Sequence, residues 1–427
     1  MEKWRYLWSQ VSSKLWLRAT LYCLFGVGTA LAGALARDLI PPGIALQIGA
    51  DALGNILGIV AASMLAVTTF TLSIMVSAYS SASNSATPRA TQLLMADSNA
   101  QSYLATFVGA FLFSVVGIIA LSTGLYGDGG RVVLFVTTLV LIIVIAVTLL
   151  RAIEQFPRFG RLGDTVDIIE RATLASLRRR AADPALGCVA WDGKALDGYA
   201  VEVDASTIGY VQFVDVQALA TLADEHGFEA CIVAPPGTLA APGRPLLRLD
   251  RAVDDDVHAA LVAAFAIADN RAIADDPRYG LIVLTEVAVR AGSAAINDPG
   301  TAIDIIGTVT RVLADWANLR RDAEPAEVRF PRLHFPVMHE ADMYADVFPL
   351  IARDSAGVVE VGIRLQKAFA ALRATGHAPS AAAASHHAQR ALQRALAKLD
   401  FSDDREQLIA VARRWNAVEP EPASTPR

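Results

Sequence analysis

A polar turn in the C-terminal part of the chain combines residue types that can bind a ligand or cap a helix. We take as the candidate functional turn Glu286, Arg290, Asn297, Asp298 and Thr301. Asp298 can accept the free amides of a following helix in which Pro299 is the first residue. Glu286 and Arg290 lie on the helix before the turn, and Asp304 lies on the helix after it. These charges predict a functional site where the two helices meet. A capped corner between the helices is the alternative.

Metal-ligand and nucleophile patterns are sparse. His339, Glu340 and Asp342 form the one cluster with metal-ligand residue types, and a polar helix entrance explains it without a metal. The run Asp254 to Asp256 fits an acidic first helical turn. The sequence contains no G-x-S-x-G, no H-E-x-x-H, no Walker-type loop and no G-x-G-x-x-G after a strand. We therefore predict no catalytic residue, metal or cofactor, and a protein that is not an enzyme.

A hydroxyl stripe lies in the apolar first third of the chain. Thr69, Ser73 and Ser77 recur at helical spacing, and they follow a small-residue ridge formed by Gly54, Gly58, Ala62 and Ala66. One interpretation is a polar path, or pore lining, at the centre of a homo-oligomer. The alternative is ordinary helix packing, with each hydroxyl bonded to a carbonyl one turn earlier.

The hydroxyl stripe lies in the second of four uncharged apolar runs. They cover residues 19–36, 52–88, 98–127 and 132–150. About 20 such residues suffice for a helix to cross a bilayer, so we predict an integral membrane protein with a four-helix transmembrane domain over 19–155. Trp4, Trp8, Val11 and Leu15 recur at helical spacing and predict an interfacial amphipathic helix over 1–18. No Asp, Glu, His, Lys or Arg lies inside the four runs, which disfavours proton pumps and voltage sensors.

Basic residues predict the orientation of the chain. Lys3, Arg5, Lys14 and Arg18 precede the first run, and Arg151, Arg158 and Arg161 follow the fourth. Because basic residues collect on the cytoplasmic side, both termini are predicted to be cytoplasmic, with the protein in a bacterial inner (plasma) membrane. Residues 1–160 contain nine Lys/Arg and six Asp/Glu, which leaves 28 basic and 37 acidic residues for the rest. An acidic C-terminal half disfavours nucleic acid as a partner.

The C-terminal half is predicted to contain a small α+β module over 160–250, a mainly helical domain over 251–417 and a disordered tail over 418–427. In the first module, alternation around Val201 and Val203 and then Ile208 and Tyr210 predicts a β-hairpin. Asp215 and Gly227 bound a predicted helix, and strands follow at 230–233 and 245–249. Helices are predicted over 254–272, 277–292, 298–320, 341–374, 380–399 and 402–416.

One helix links the two halves. It is predicted to start near Gly163 and Asp164, with an apolar side that includes Ile169 and Leu177. Its arginines are Arg171, Arg178, Arg179 and Arg180. A solvated face is the simpler account of these arginines, and contact with anionic lipid is the alternative.

Two motifs resemble a bacterial family of predicted membrane proteins, the domain of unknown function 2254. One is the run from Asp276 to Leu281, Asp-Pro-Arg-Tyr-Gly-Leu, and the other is Ser293 to Ala302, which contains Asn-Asp-Pro. The second apolar run and its exit at Pro88 and Arg89 also look like that family. The resemblance implies a membrane protein and brings no activity, substrate or catalytic residue.

The sequence therefore predicts an inner-membrane protein whose partners are the lipid bilayer and further copies of itself. Our first hypothesis is a channel-like or transport protein with a cytoplasmic assembly or gating domain. The second is a membrane-tethered sensor or scaffold whose cytoplasmic domain binds a ligand or a partner protein. The ion or small-molecule ligand is not identified by the sequence.

Overall fold

The computed structural model describes residues 20–21, 24, 27–28, 50–95, 98–124, 128–194 and 198–416. The described residues divide into two compact units, one up to Thr165 and one from Val166 onward, called here the N-terminal and the C-terminal unit. The predicted interfacial helix at 1–18, most of the first predicted span at 19–36 and the predicted tail at 418–427 lie outside the described residues.

The N-terminal unit is helical. Its helices are α1 (Ala50–Ser85), α2 (Pro88–Met95), α3 (Ser98–Ser122) and α4 (Asp128–Gln155), and a 3-10 turn (Phe156–Arg158) follows. Three described helical segments are long and apolar enough to cross a membrane: Asp51–Ser85, Gln101–Ser122 and Gly130–Arg158. They correspond to the second, third and fourth predicted runs, so the described part of the chain contains three candidate spans.

Apolar packing holds α1, α3 and α4 together. One cluster joins Leu53 and Leu57 of α1 to Phe113 of α3 and Leu134 of α4. A second cluster includes Met64, Phe107 and Ile145. The opposite sides of the helices carry exposed apolar side chains, among them Ile59, Phe70, Ile143 and Leu150. Such broad apolar surfaces are costly in water and suit a lipid environment.

The C-terminal unit contains helices and two sheets. Its helices are α5 (Leu162–Ala182), whose first turn belongs to the N-terminal unit, α6 (Val216–His226), α7 (Asp255–Ala263), α8 (Pro277–Ala291), α9 (Pro299–Arg321), α10 (Glu340–Asp354), α11 (Val359–Arg373), α12 (Ala378–Leu396) and α13 (Ser402–Asn416). Its strands are β1 (Cys188–Trp191), β2 (Val201–Asp204), β3 (Gly209–Val214), β4 (Ala230–Ile232), β5 (Leu239–Ala240), β6 (Pro245–Leu249), β7 (Phe265–Ala268) and β8 (Phe330–Pro336).

The strands form a five-stranded sheet in the order β1-β8-β4-β6-β2 and a three-stranded sheet in the order β5-β3-β7. The predicted hairpin is therefore wrong, because β2 pairs with β6 while β3 pairs with β5 and β7. Val203 of β2 and Val211 of β3 both enter one hydrophobic core shared by the two sheets. The alternation correctly located two strands, but the short connection carries the chain from one sheet to the other.

Two predicted helices are shorter than expected. The helix predicted over 254–272 ends at Ala263, and the next residues form β7, which pairs with β3. The helix predicted over 341–374 is interrupted between Asp354 and Val359 and consists of α10 and α11. Alanine-rich composition favoured one continuous helix in each case, whereas pairing with a sheet and a local turn determine the breaks.

Strand β8 was not predicted. It lies between β1 and β4 and runs parallel to both, so a strand from the 251–417 segment completes the sheet of the 160–250 segment. Leu333 and Phe335 alternate into the core and are fully buried. The boundary predicted at residue 250 therefore does not separate the strands of this sheet.

Candidate functional site

The candidate functional turn is closed by its own hydrogen bonds. Asp298 caps α9, since its Oδ1 accepts the amide of Thr301 at 3.0 Å and its Oδ2 accepts the hydroxyl of Thr301 at 2.6 Å. These bonds lower the pKa of Asp298. Asn297 adopts a left-handed backbone, with φ 50, and its amide donates to the carbonyl of Ser293. The geometry is that of the capped corner, and the functional role of the turn stays a prediction.

The charged residues around the turn lie in different environments. Glu286 and Arg290 are half-buried on α8, whereas Asp304 is exposed on α9. The Nε atom of Arg290 is buried without a hydrogen-bond partner in the described structure. The cap of Asp298 uses Thr301, so the bonds described for the Asp298 side chain do not include Arg290.

We expect Asp298→Ala to lower the free energy of unfolding of the C-terminal unit by about 1 kcal/mol, because α9 loses the acceptor for its first amides. Asp298→Asn keeps an acceptor oxygen, so its loss of unfolding free energy is expected to be only a few tenths of the loss in Asp298→Ala. Thermal unfolding of the full-length protein in detergent measures both. Equal melting temperatures for Asp298→Ala and the unmodified chain would contradict the capping role.

The hydroxyl stripe lies on an exposed side of α1. Thr69 Oγ1 donates to the carbonyls of Ala66 and Leu65 at 2.9 and 3.0 Å, and Ser73 Oγ donates to Thr69 at 3.0 Å. Ser77 is also exposed and lines an open groove on the same helix. Backbonding satisfies the first two hydroxyls without a neighbouring helix. The polar path stays a prediction.

The predicted cluster of metal-ligand residue types does not converge. Glu340 accepts the indole N–H of Trp316 at 2.9 Å, and Asp342 pairs with Arg278 at 3.2 Å. His339 is exposed at the start of α10. Within the described ranges, no group of three or more His, Cys, Asp or Glu side chains is placed to hold a metal ion.

A cavity of about 530 Å³ lies at the carboxyl ends of three neighbouring parallel strands, β1, β8 and β4. We call it the strand-end cavity. It is lined by Arg180, Trp191, Asp192, Val233, Pro235 to Thr238, Arg271, Asp275 to Arg278, Phe335 to His339 and Asp342. Ligands of α/β proteins bind at such strand ends, because the loops that leave parallel strands surround a common crevice there.

Arg180 is the most unusual residue of the strand-end cavity. Its side chain is only 7% exposed, and its Cζ lies over the ring of Phe335 at 5.0 Å from the centroid. Its one described hydrogen bond is long, from Nη2 to the carbonyl of Asp275 at 3.3 Å. Burial lowers the pKa of Arg180. Nevertheless, an arginine stays protonated in proteins, so the cavity wall contains a buried cation.

The other arginines of the cavity already have carboxylate partners. Arg271 Nε donates to Asp276 at 2.7 Å, and this carboxylate also caps α8 through the amide of Tyr279. Burial raises the pKa of Asp276, although Arg271 opposes this effect. Arg278 Nε donates to Asp346 at 2.7 Å. The first ion pair stabilises the start of α8, and the second connects α8 to α10 beside the cavity.

The loop after β4 is held against this network. Gly237 has φ +96, and a Cβ there would lie 2.7 Å from Cγ of Asp276. The Gly237 amide donates to Val211 at 2.8 Å, and the Thr238 amide donates to Pro235 at 3.1 Å. The Pro-Pro-Gly-Thr loop is therefore a rigid wall of the strand-end cavity, and glycine is required where it approaches Asp276.

Sequence reasoning missed Arg180. The four arginines of α5 were predicted to form a solvated face, and Arg171, Arg178 and Arg179 are exposed, but Arg180 is buried. The periodicity contains the signal, since residue 180 lies three positions after Leu177 and eleven after Ile169, on the buried side of the helix. An arginine on an apolar stripe indicates a cation with a structural or binding role.

A second cavity, of about 620 Å³, lies between α10 and α12 and is lined in part by His339, Glu340, His386, His387 and Arg390. His387 is 8% exposed and packs against the rings of Tyr344 and Phe348. Burial, followed by the positive charges of neighbouring groups, lowers the pKa of His387 to about 4. The folded state therefore favours the neutral imidazole.

We expect acid to destabilise the C-terminal unit through His387. Its folded pKa lies below the unfolded value of about 6.5, so its contribution is complete above pH 6.5 and is lost as the pH falls toward 4. The loss reaches about 2 kcal/mol at pH 5. Urea unfolding between pH 7 and pH 5 is expected to be less pH-dependent in His387→Gln than in the unmodified chain. His226, an exposed histidine of α6, provides the control, His226→Gln, and equal slopes in all three would refute the assignment.

Comparison with known proteins agrees with the membrane helices. The family model described as "Predicted membrane protein (DUF2254)" matches residues 12–371. The chain belongs to this family. Membership in DUF2254 confirms the resemblance that the Asp-Pro-Arg-Tyr-Gly and Asn-Asp-Pro motifs predicted. The matched segment includes the three candidate spans, both sheets and the strand-end cavity.

The relatives found are described as uncharacterized proteins. Two such proteins, from Mycobacterium tuberculosis and Mycobacterium bovis, are each 32% identical to this DUF2254 chain over 143 residues. The match covers 29% of the chain and 26% of each relative, so the chain spans about a quarter of the length of these relatives. No solved structure matches the chain.

Proposed function

We propose that the protein is a membrane-tethered sensor whose C-terminal unit binds a small ligand in the strand-end cavity. The observation that carries this proposal is the cavity itself, which combines parallel strand ends, a rigid loop and a buried arginine. Its volume is in the range of small-molecule sites. The proposal contains no catalytic step.

The proposed setting is the bacterial inner membrane. We propose a fourth span over 19–36 in addition to the three candidate spans, with both termini in the cytoplasm. The basic residues before the first run and after the fourth support this orientation, since short cytoplasmic loops are enriched in Lys and Arg. The strand-end cavity would then be open to cytoplasmic metabolites.

Ligand-dependent stabilisation tests the sensor proposal. A library of anionic, neutral and cationic metabolites is screened by thermal unfolding of the full-length protein in detergent. At least one compound is expected to raise the melting temperature, because ligand binding stabilises the folded state. Thr238→Trp, which places a large ring in the cavity, is expected to abolish that shift. Thr221→Trp, on the exposed side of α6, is the control. A library without any hit, or a hit insensitive to Thr238→Trp, would count against the proposal.

A homo-oligomeric, channel-like protein is a second candidate function, and one feature of α1 favours it. Packing within the N-terminal unit uses Leu53 and Leu57, whereas Ala62, Ala66 and the hydroxyl stripe are exposed. A ridge of small residues allows close approach of a helix from another copy. In such an assembly Thr69, Ser73 and Ser77 would line a polar path.

Ion flux through liposomes containing the purified protein tests the second candidate. Flux is expected from the unmodified chain and is expected to fall in the double variant Thr69→Leu plus Ser73→Leu. Ile143→Leu, on the exposed apolar side of α4, is the matched control. A monomer without flux under any ionic condition would refute the channel while leaving the sensor proposal intact.

A further inference from the structure

We propose that the strand-end cavity binds a small anion, a carboxylate or a phosphate ester, and that Arg180 binds its negative charge. The inference rests on the proposed ligand-binding function and adds the chemical class of the ligand. It assigns the principal binding contact to a residue of α5 rather than to the Asn-Asp-Pro turn.

Arg180 has unused donor capacity. A guanidinium has five N–H donors arranged to match a carboxylate or a phosphate. The one hydrogen bond described for Arg180 is long and goes to a backbone carbonyl, while Asp275, Asp183 and Asp276 act on its charge electrostatically. Buried charges are normally paired by hydrogen bonds, because removing an ion from water is costly. An anionic ligand would supply a partner in hydrogen-bond contact with the guanidinium.

Three carboxylates lie near Arg180. Two of them have other arginine partners, since Asp276 pairs with Arg271 at 2.7 Å and Asp183 pairs with Arg329 at 2.7 Å. The carboxylate of Asp275 also interacts electrostatically with Arg180, and the backbone carbonyl of Asp275 accepts the hydrogen bond from Arg180. An anion can enter beside Arg180 without displacing either ion pair.

The surroundings of the guanidinium suit an anion with an apolar part. Stacking on the ring of Phe335 occupies one face of the group and leaves the N–H edges available. Trp191, Val233 and Pro236 also line the strand-end cavity. Their apolar surfaces can pack against the uncharged part of a ligand. Because the site is largely removed from water, a charge-assisted hydrogen bond there is strong.

The test is equilibrium binding to the full-length protein in phosphatidylcholine nanodiscs. The probes are succinate, inorganic phosphate and succinamide, the neutral analogue of succinate. Arg180→Met removes the charge but keeps a side chain of similar volume. Arg180→Lys keeps the charge but loses the planar guanidinium group with its several N–H donors. Arg178→Met, two residues earlier on α5, is the matched control, because Arg178 is exposed and pairs with Asp315.

We expect at least one anion to bind and succinamide not to bind. The affinity for that anion is expected to fall at least about tenfold in Arg180→Met, to fall less in Arg180→Lys and to stay unchanged in Arg178→Met. Arg180→Met is expected to fold and to melt at the same temperature or higher without ligand, since it removes a buried and poorly paired charge. Nanodiscs with phosphatidylglycerol form a further arm, in which Arg180-dependent stabilisation identifies a lipid headgroup as the source of the phosphate.

Other outcomes overturn the inference. If the two variants Arg180→Met and Arg178→Met bind the anion with equal affinity, the anion does not bind at Arg180. If neutral or cationic compounds alone bind, and Thr238→Trp abolishes their binding, the ligand class is wrong but the sensor proposal stands. If no compound of the metabolite library binds in a manner sensitive to Thr238→Trp, the sensor proposal itself fails.

Discussion

Gly160→Ala is expected to lower the stability of the N-terminal unit by about 2 to 5 kcal/mol. Gly160 follows the 3-10 turn after α4 and has φ +77, a conformation that costs an alanine about 1 to 2 kcal/mol. A Cβ there would also lie 2.7 Å from the carbonyl oxygen and 2.8 Å from the Cα of Ala78 in α1. Because both are backbone atoms, the clash is relieved only by moving the chain, at a further cost of about 1 to 3 kcal/mol.

The control separates these two costs. Gly124 also has a positive φ, +69, but no atom of the described residues lies within 4 Å of a Cβ at that position. Gly124→Ala is therefore expected to lose only the backbone part, about 1 to 2 kcal/mol. Thermal unfolding and protease susceptibility of the full-length variants in detergent provide the comparison. If Gly160→Ala is as stable as Gly124→Ala, the close approach between Gly160 and Ala78 does not exist.

Gly280→Ala is expected to lower the stability of the C-terminal unit by about 3 kcal/mol. Gly280 lies on α8 where this helix crosses α5, and an added Cβ would overlap the hydroxyl of Thr173 and lie 2.9 Å from its Cβ. Thr173 is fully buried and donates to the carbonyl of Ile169 at 2.7 Å. Two packed helices would have to separate, and overpacking of this kind typically costs about 1 to 3 kcal/mol or more.

The matched control is Gly307→Ala on α9. At this position the nearest atom to an added Cβ is 3.8 Å away, on the flexible side chain of Arg311. Alanine is a better helix former than glycine, so this variant is expected to be as stable as the unmodified chain or to gain up to about 1 kcal/mol. Combining Gly280→Ala with Thr173→Ala is expected to recover part of the loss. A destabilisation that is unchanged by Thr173→Ala would contradict the proposed contact.

Local signals predicted much of the helical structure. Asp215, Asp254 and Asp298 each cap the helix that follows, as expected from a short side chain that accepts the first free amides. The motif around Asp276 has a similar explanation, since Asp276 caps α8, Arg278 joins it to α10 and Gly280 permits the crossing with α5. These features depend on neighbours in the chain, so the sequence contains the information.

Pairing between distant segments could not be predicted in the same way. Strand β8 lies between β1 and β4, although about 140 residues separate β1 from β8 along the chain. The strand-end cavity depends on this pairing, because it collects residues from α5, β1, the loop after β4 and the segment before α8. The position of Arg180 on the apolar side of α5 could be predicted from the sequence, but its contact with the ring of Phe335 could not.

Anion binding at Arg180 is tested most directly by a cryo-electron microscopy structure of the full-length protein in nanodiscs with the compound that most raises its melting temperature. We expect ligand density in the strand-end cavity, with an anionic group in contact with the guanidinium of Arg180 and with the Arg271–Asp276 pair intact. A cavity filled by the protein's own side chains, or ligand density outside it, would show that the ligand does not bind there.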